Sequence, residues 1–153
     1  MKWRDRLAGR SEPEHLRRGR LGETEARRHL RRGGLRFLTA NFRSRHGEID
    51  LVFHEPDRRG RWWARWWSRD PGCLVFVEVK TRSSETWVRP AAAVDARKRR
   101  LLSQTALDYL KLLRHPAVRI RFDIVEVLLT DGRVREIRHL PNTFPLEAPY
   151  RYR

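Results

Sequence analysis

Asp50, Glu78 and Lys80 are the residues whose types and spacing could do chemistry in this chain. Glu78 and Lys80 fall in CLVFVEVKT, a run that is apolar on both faces until Glu78. Strand alternation puts Glu78 and Lys80 on one face, with Leu74 and Phe76 as their neighbours there. In the preceding run, Glu48 and Asp50 share the face opposite Ile49, Leu51 and Phe53. If the two runs pair as strands, Asp50 can lie beside Glu78. Two adjacent carboxylates repel unless a cation sits between them. Oxygen ligands of this kind suit Mg²⁺ or Mn²⁺ better than zinc. On this reading Asp50 and Glu78 hold a metal that contacts a scissile phosphate. Lys80 orients or helps deprotonate the attacking water and offsets developing negative charge. The same residues also admit a plain ion pair between Glu78 and Lys80, or strand-end charges in solvent.

Two residues on helices join the question. Residues 23, 26 and 30 share a helix face, so Glu23 lies with Ala26 and Leu30. An acid on that face is either exposed at a sheet edge or pointed into a site. Lys98 follows Val94 by four residues and precedes Leu101 by three, near the start of a long helix.

The elements that must position these residues can be read along the chain. Residues 1–18 are polar and basic and are expected as a flexible arm. A helix is expected from about Leu21 to the Gly33-Gly34 stop. Strands are expected over Leu35–Ala40, Glu48–His54 and Cys73–Thr81, with a turn at Ser44-Arg45-His46-Gly47. A run apolar on both faces, as in the third, suits a central strand. Asp95 can cap a helix over Ala96–Arg114, ended by His115-Pro116. A fourth strand is expected over Ile120–Leu129. Asp131-Gly132 then turns the chain into a short partner, Val134–His139, and a loop-like tail follows from Pro141. The order is α-β-β-β-α-β-β, an α/β fold with a central mixed sheet flanked by helices. Residues 19–145 form the expected domain and 146–153 a tail.

Charge points to the partner. The chain has 153 residues, 35 Lys+Arg against 19 Asp+Glu, and a formal net charge of +16. Such a surface fits the phosphate backbone of nucleic acid. Cys73 is the one cysteine, so an intrachain disulfide and a cysteine-based zinc site are excluded. No apolar run approaches the ~18 residues of a membrane span. The first residues lack the apolar core of a secretory signal, so a cytoplasmic location is expected.

Residues 55–72, EPDRRGRWWARWWSRDPG, carry four of the six tryptophans. Trp62 and Trp66, like Trp63 and Trp67, would pair on a short helix. Interleaved with Arg61 and Arg65, they could stack on exposed bases and contact phosphates. They could equally pack as an apolar flap, dock a partner, or lie at a membrane surface. Arg43, Arg45 and Arg82 are further candidate phosphate contacts beside the acidic strands.

The runs GRLGETEARRHL, NFRSRHGEIDLV, VFVEVKTR, VDARKRRLLSQTALDYL and RFDIVEV occur in the order and spacing of the YraN family. This family of small bacterial proteins is predicted to have a restriction-endonuclease-like fold, and it resembles the archaeal Holliday-junction resolvases. The resemblance covers about residues 19–145. GEIDL and VFVEVK together make it specific. It implies that Asp50, Glu78 and Lys80 occupy the metal-and-lysine positions of the nuclease motif. It matches Glu23 to an acidic residue on the first helix of resolvase-like members. Glu48, Lys98 and Asp123 match recurrent positions, and Asp123 equally suits a salt bridge to Arg121. The implied activity is metal-dependent cleavage of DNA, in preference to RNA, with branched DNA suggested by the resolvases. Resolvase-like proteins are commonly dimers, so a homodimer is also implied. The insert at 55–72 departs from the short turn usual between these strands. Non-catalytic nucleic-acid binding and a partner-docking role through the insert are the competing readings.

Overall fold

The run Cys73–Arg82 is the central strand of the fold, and its side chains show why. Leu74 and Phe76 enter one buried apolar cluster, while Cys73, Val75 and Val77 enter another on the opposite face. The computed structural model describes residues 13–56, 72–83 and 94–152. Their elements are α1 (Glu14–Arg32), β1 (Arg36–Ser44), β2 (Gly47–Glu55), β3 (Cys73–Arg82), α2 (Ala96–Leu112), β4 (Arg119–Thr130) and β5 (Arg133–Phe144). The five strands form one mixed sheet in the order β1-β2-β3-β4-β5. β3 and β4 pair in parallel and every other neighbouring pair is antiparallel. A parallel pair needs a crossover, and α2 lies on that connection.

Each helix covers one face. Leu102, Ala106 and Leu110 of α2 pack with Val52, Leu74, Phe76, Phe122 and Ile124. Ala26 and Leu30 of α1 pack with Leu51, Phe53, Val75, Val77 and Val125. Burying a side chain such as Phe76 or Leu110 stabilises by ~1.5–3 kcal/mol. On the α2 face, rings run in contact from Phe42 through Tyr109, Phe76 and Phe122 to Phe144, tying four strands to the helix.

Several boundaries move from the sequence expectation. α1 begins at Glu14, so residues 14–18 are helical and not part of an arm. Pro13 O accepts from Leu16 N and Arg17 N at the helix start, and Glu14 in the first turn suits the positive end of the helix dipole. β5 continues past His139 to Phe144, so Pro141 lies in a strand and not in a tail. β5 is an edge strand, where a missing N–H costs little. The turn at Asp131-Gly132 has both residues at positive φ, 51° and 72°, the conformation that suits a tight hairpin. Residues 57–71, which hold most of the Trp/Arg insert with Arg61, Trp62, Arg65 and Trp66, lie outside the described residues, as do residues 1–12.

One correction bears on the site. Ile49, Leu51 and Phe53 do not share a face: Ile49 packs on the α2 side, Leu51 and Phe53 on the α1 side. The switch occurs at Asp50. Opposite it, Asn41 takes a left-handed φ of 53°, while the β1–β2 register is the same on either side, at Ala40↔Leu51 and Phe42↔Ile49. A short amide side chain tolerates that conformation better than a bulky one.

Candidate functional site

The β2–β3 ladder runs from Glu55↔Cys73 to Leu51↔Val77 and ends there. Beyond Leu51 the two strands part, and Val79 needs an acceptor for its backbone N–H. The Asp50 carboxylate supplies it, with Oδ2 accepting from Val79 N at 2.6 Å. A side chain thus replaces a ladder bond, which fixes Asp50 next to Glu78 on β3. The parting of the strands is what makes room for two carboxylates between the two helices.

Glu78 is only 5% exposed. Its Oε1 accepts from Lys80 Nζ at 2.9 Å and lies 3.2 Å from Lys98 Nζ. Its Oε2 is buried and has no hydrogen-bond partner among the described residues. Lys98 reaches the site from the first turn of α2, where Asp95 caps the helix by accepting from Lys98 N at 2.7 Å. The cap and the lysine therefore stand or fall together.

The electrostatics follow from burial and crowding. Asp50 is pushed from its ordinary value of 3.8 up to about 7, first by burial and then by the Glu78 carboxylate. The Val79 hydrogen bond opposes this shift, Glu23 adds to it, and Lys98 reduces it. Glu23 is also raised by burial, with Glu48 contributing in the same direction. The Asn41 amide sits between these two acids. With its nitrogen turned toward them, it donates to Glu23 Oε2 and Glu48 Oε1 at 3.2 Å each, the orientation that satisfies all three groups. Glu48 also forms an ion pair with exposed Arg43 at 3.1 Å. A cavity of about 200 Å³ beside Glu23 and Asn41 is walled by Arg20, Arg27 and Leu51.

The fold therefore brings together Glu23, Glu48, Asp50, Glu78, Lys80 and Lys98. It does not bring Asp123. Val77 is the ladder partner of Asp123, so Asp123 projects from the face opposite Glu78. There it is fully buried and accepts from Arg121 Nε at 3.0 Å, His139 Nε2 at 2.8 Å and Asn142 N at 2.9 Å. The salt bridge to Arg121 is the alternative that the sequence allowed. Arg45 is exposed in the β1–β2 turn, beside the His46–Asp108 contact of 2.9 Å that ties the turn to α2. Arg82 is half-buried and faces Glu126 on β4 at 4.0 Å.

Sequence reasoning missed Asn41 and Glu126. An asparagine between apolar residues was a signal for a left-handed residue within a strand. Glu126 interrupts the apolar run IVEVLL in the way that Glu78 interrupts its own.

Comparison with known proteins places the chain. The family model described as "Uncharacterised protein family UPF0102" matches residues 22–127. The chain belongs to this family. The matched span contains every residue of the Asp50 and Glu78 site. A UPF0102 protein of Trichlorobacter lovleyi is 41% identical over 128 residues, covering 84% of this chain and 90% of that relative. A UPF0102 protein of Porphyromonas gingivalis is 39% identical over 134 residues, 87% of each. One from Rhodococcus opacus is 35% identical over 130 residues, 85% of this chain and 98% of the relative. UPF0102 is the YraN family of the sequence resemblance. No helix among the described residues is long and apolar enough to cross a membrane.

Proposed function

We propose that this UPF0102 protein is a metal-dependent endonuclease of restriction-endonuclease-like fold, acting on the phosphodiester backbone of DNA. The observation that carries the proposal is the meeting of Asp50 and Glu78 where β2 leaves β3, with Lys80 held on Glu78. Its metal is Mg²⁺ or Mn²⁺. The residues fit such an ion in three respects. The donors are hard oxygens. Glu78 Oε2 is buried without a hydrogen-bond partner among the described residues. Asp50 is pushed up to about 7, first by burial and then by the Glu78 carboxylate, and a cation between the two acids would relieve that repulsion. Mg²⁺ commonly uses one or two protein carboxylates and completes its shell with water and phosphate. When bound, the ion would polarise the phosphate and lower the pKa of an attacking water.

The chain's own residues do the rest. Asp50 and Glu78 would hold the ion, with Asp50 fixed by the Val79 N–H. Lys80 lies two residues on from Glu78, placed to orient water and to offset charge that develops on the phosphate. Lys98 gives Glu78 a second cationic partner, which holds its carboxylate in place. Glu23 adds negative charge from α1. The net charge of +16 supplies non-specific attraction for the backbone. The preference for branched DNA, the homodimer that would place two sites on a symmetric junction, and a cytoplasmic setting are parts of this reading taken from the resolvase resemblance and the sequence.

A second reading has its own observation. Among the described residues, no group of three or more His, Cys, Asp or Glu side chains could hold a metal ion, and Glu78 already pairs with two lysines. That arrangement also suits a nuclease fold that binds nucleic acid without cutting it. The deciding experiment incubates the purified chain with supercoiled, linear and four-way-junction DNA in Mg²⁺ or Mn²⁺. The nuclease reading expects nicking of at least one substrate that Asp50→Ala, Glu78→Ala and Lys80→Ala each reduce by ~10²-fold or more. DNA binding without cleavage in either metal would favour the second reading. Full activity in the Asp50 and Glu78 variants would remove the assigned site.

A further inference from the structure

A cavity of about 400 Å³ opens between the N-terminal half of α1 and the end of β3. Its walls are His15, Arg18, Gly19, Thr81, Arg82 and Ser83. Two of these carry permanent positive charge and none of the described walls is acidic, although Arg18 Nε lies 3.6 Å from the exposed Glu14 carboxylate. The cavity adjoins the Asp50 and Glu78 site, because Arg82 lies two residues beyond Lys80, ~7 Å along the strand. α1 is pressed onto the strand end here: a Cβ on Gly22 would lie 1.8 Å from Thr81 Oγ1.

Behind the cavity is an unusual buried group. Glu126 is fully buried, and neither of its carboxylate oxygens has a hydrogen-bond partner among the described residues. Arg82 Nε is buried and likewise lacks one. The two face each other at 4.0 Å, and Arg138 Nη1 lies 3.9 Å from the other Glu126 oxygen. Glu126 is the ladder partner of Lys80 across the parallel pair. A buried carboxylate is costly unless cations surround it. A separation near 4 Å holds a guanidinium by charge without engaging all its donors. Arg82 also lines the cavity at the end of β3, where a guanidinium turned toward an acceptor would offer it a planar donor fork.

We infer that this cavity receives a backbone phosphate of the nucleic acid next to the scissile one, bound by Arg82 and Arg18, and that Glu126 is the positioning residue that orients Arg82 toward it. The inference rests on the nucleic-acid reading above and names a substrate contact for it. Its signature is a coupling between Glu126 and Arg82 that is read in binding and not in stability.

The test uses the full chain and a fluorescein-labelled DNA duplex, with affinity measured across a salt series. Arg82→Ala weakens binding by about tenfold, as expected for one charge-assisted contact, and lowers the salt slope by about one. Arg82→Lys, which keeps the charge but not the fork, recovers only part of the affinity. Glu126→Gln weakens binding in the parent chain and has no further effect in the Arg82→Ala background. Unchanged affinity and slope in Arg82→Ala would overturn the pocket. An equal cost of Glu126→Gln in both backgrounds would overturn its positioning role. If Glu126→Gln does not fold, the two Arg82 variants still decide the pocket. If the parent chain binds no DNA, the nuclease reading fails, and the pocket is judged with inorganic phosphate. A phosphate-dependent shift of an arginine Nε–H resonance that Arg82→Ala abolishes would sustain the pocket, and no shift would end it.

Discussion

Asp50 sits where burial and Glu78 favour its protonated form while the Val79 N–H favours the ionised one. Its folded value of about 7 lies above its ordinary 3.8, so the folded chain binds this proton more tightly than the unfolded chain. The resulting stabilisation is complete below the ordinary value and is lost as pH rises through about 7. Asp50→Asn keeps the shape and removes the titration. In metal-free buffer its melting temperature should therefore gain on that of the parent as pH rises from 4.5 toward roughly 8, and the gain should level off above the folded value. A difference in melting temperature that stays flat across that range would show that Asp50 is not shifted. Mn²⁺ should narrow the difference at high pH, because a bound cation takes the place of the proton. Glu78, with two lysines on one oxygen, is the other half of this pair. The sequence showed the acid and Lys80 on one face, but Lys98 joined them only through the placement of α2.

Two elements can be tested where they meet the site, and a third on the opposite face. Gly22 is where α1 crosses β3: a Cβ there would approach Thr81 Oγ1 to 1.8 Å and Thr81 Cβ to 3.0 Å. The hydroxyl can rotate away but Cβ cannot, so the helix must shift. Gly22→Ala is expected to cost ~1–3 kcal/mol by overpacking, and to move Glu23 from the acidic group. Chemical denaturation reads the first effect and metal-dependent activity the second. At the start of α2, Asp95→Ala removes the cap on Lys98 N and should cost ~1 kcal/mol. It should also lower activity more than a surface variant of equal stability, because the frayed turn carries Lys98. On the opposite face, Asp123 accepts from Arg121, His139 and the Asn142 backbone. Asp123→Ala should destabilise the fold by ~3–5 kcal/mol, as expected when a buried ion pair loses one partner. Its kcat, measured at a temperature where it remains folded, should stay near that of the parent. A large kcat loss in the folded variant would return Asp123 to the active site.

At the scale of the whole molecule the excess of arginine is the dominant property. The net charge of +16 predicts DNA affinity that falls by at least ~10-fold between roughly 50 and 200 mM salt. Fluorescence anisotropy across that range measures it, and salt-independent binding would assign the charge another use. The arginines are not equivalent. Arg121 is committed to Asp123 and Glu55 inside the fold. Arg43 is exposed and touches Glu48, while Arg18 and Arg82 line the cavity at the strand end. Charge counting sees only their sum.

The sequence by itself determined the number, order and type of the elements, because hydrophobic period and turn residues are local signals. Asp131-Gly132, the Asp95 cap and the two-faced apolar run of β3 each gave a local signal that the fold follows. It also nominated Asp50, Glu78 and Lys80, because charges at the end of an apolar strand stand out. Tertiary structure decided the rest. Helical residues 14–17 are exposed and extend a helix that is anchored further on by Gly22, Ala26 and Leu30, and the long β5 with Pro141 depends on an edge position that no local window contains. Ile49 left the face of Leu51 because β2 turns away from β3 at Asp50, and Asn41 takes the left-handed conformation opposite. That parting of strands lets Asp50 accept from Val79 and stand beside Glu78. Alternation assigns each residue a face, and only three-dimensional pairing decides which faces meet. Asp123 and Glu126 are three residues apart on one strand and therefore on opposite faces. One became a buried anchor on the face away from Glu78, and the other came to lie behind Arg82.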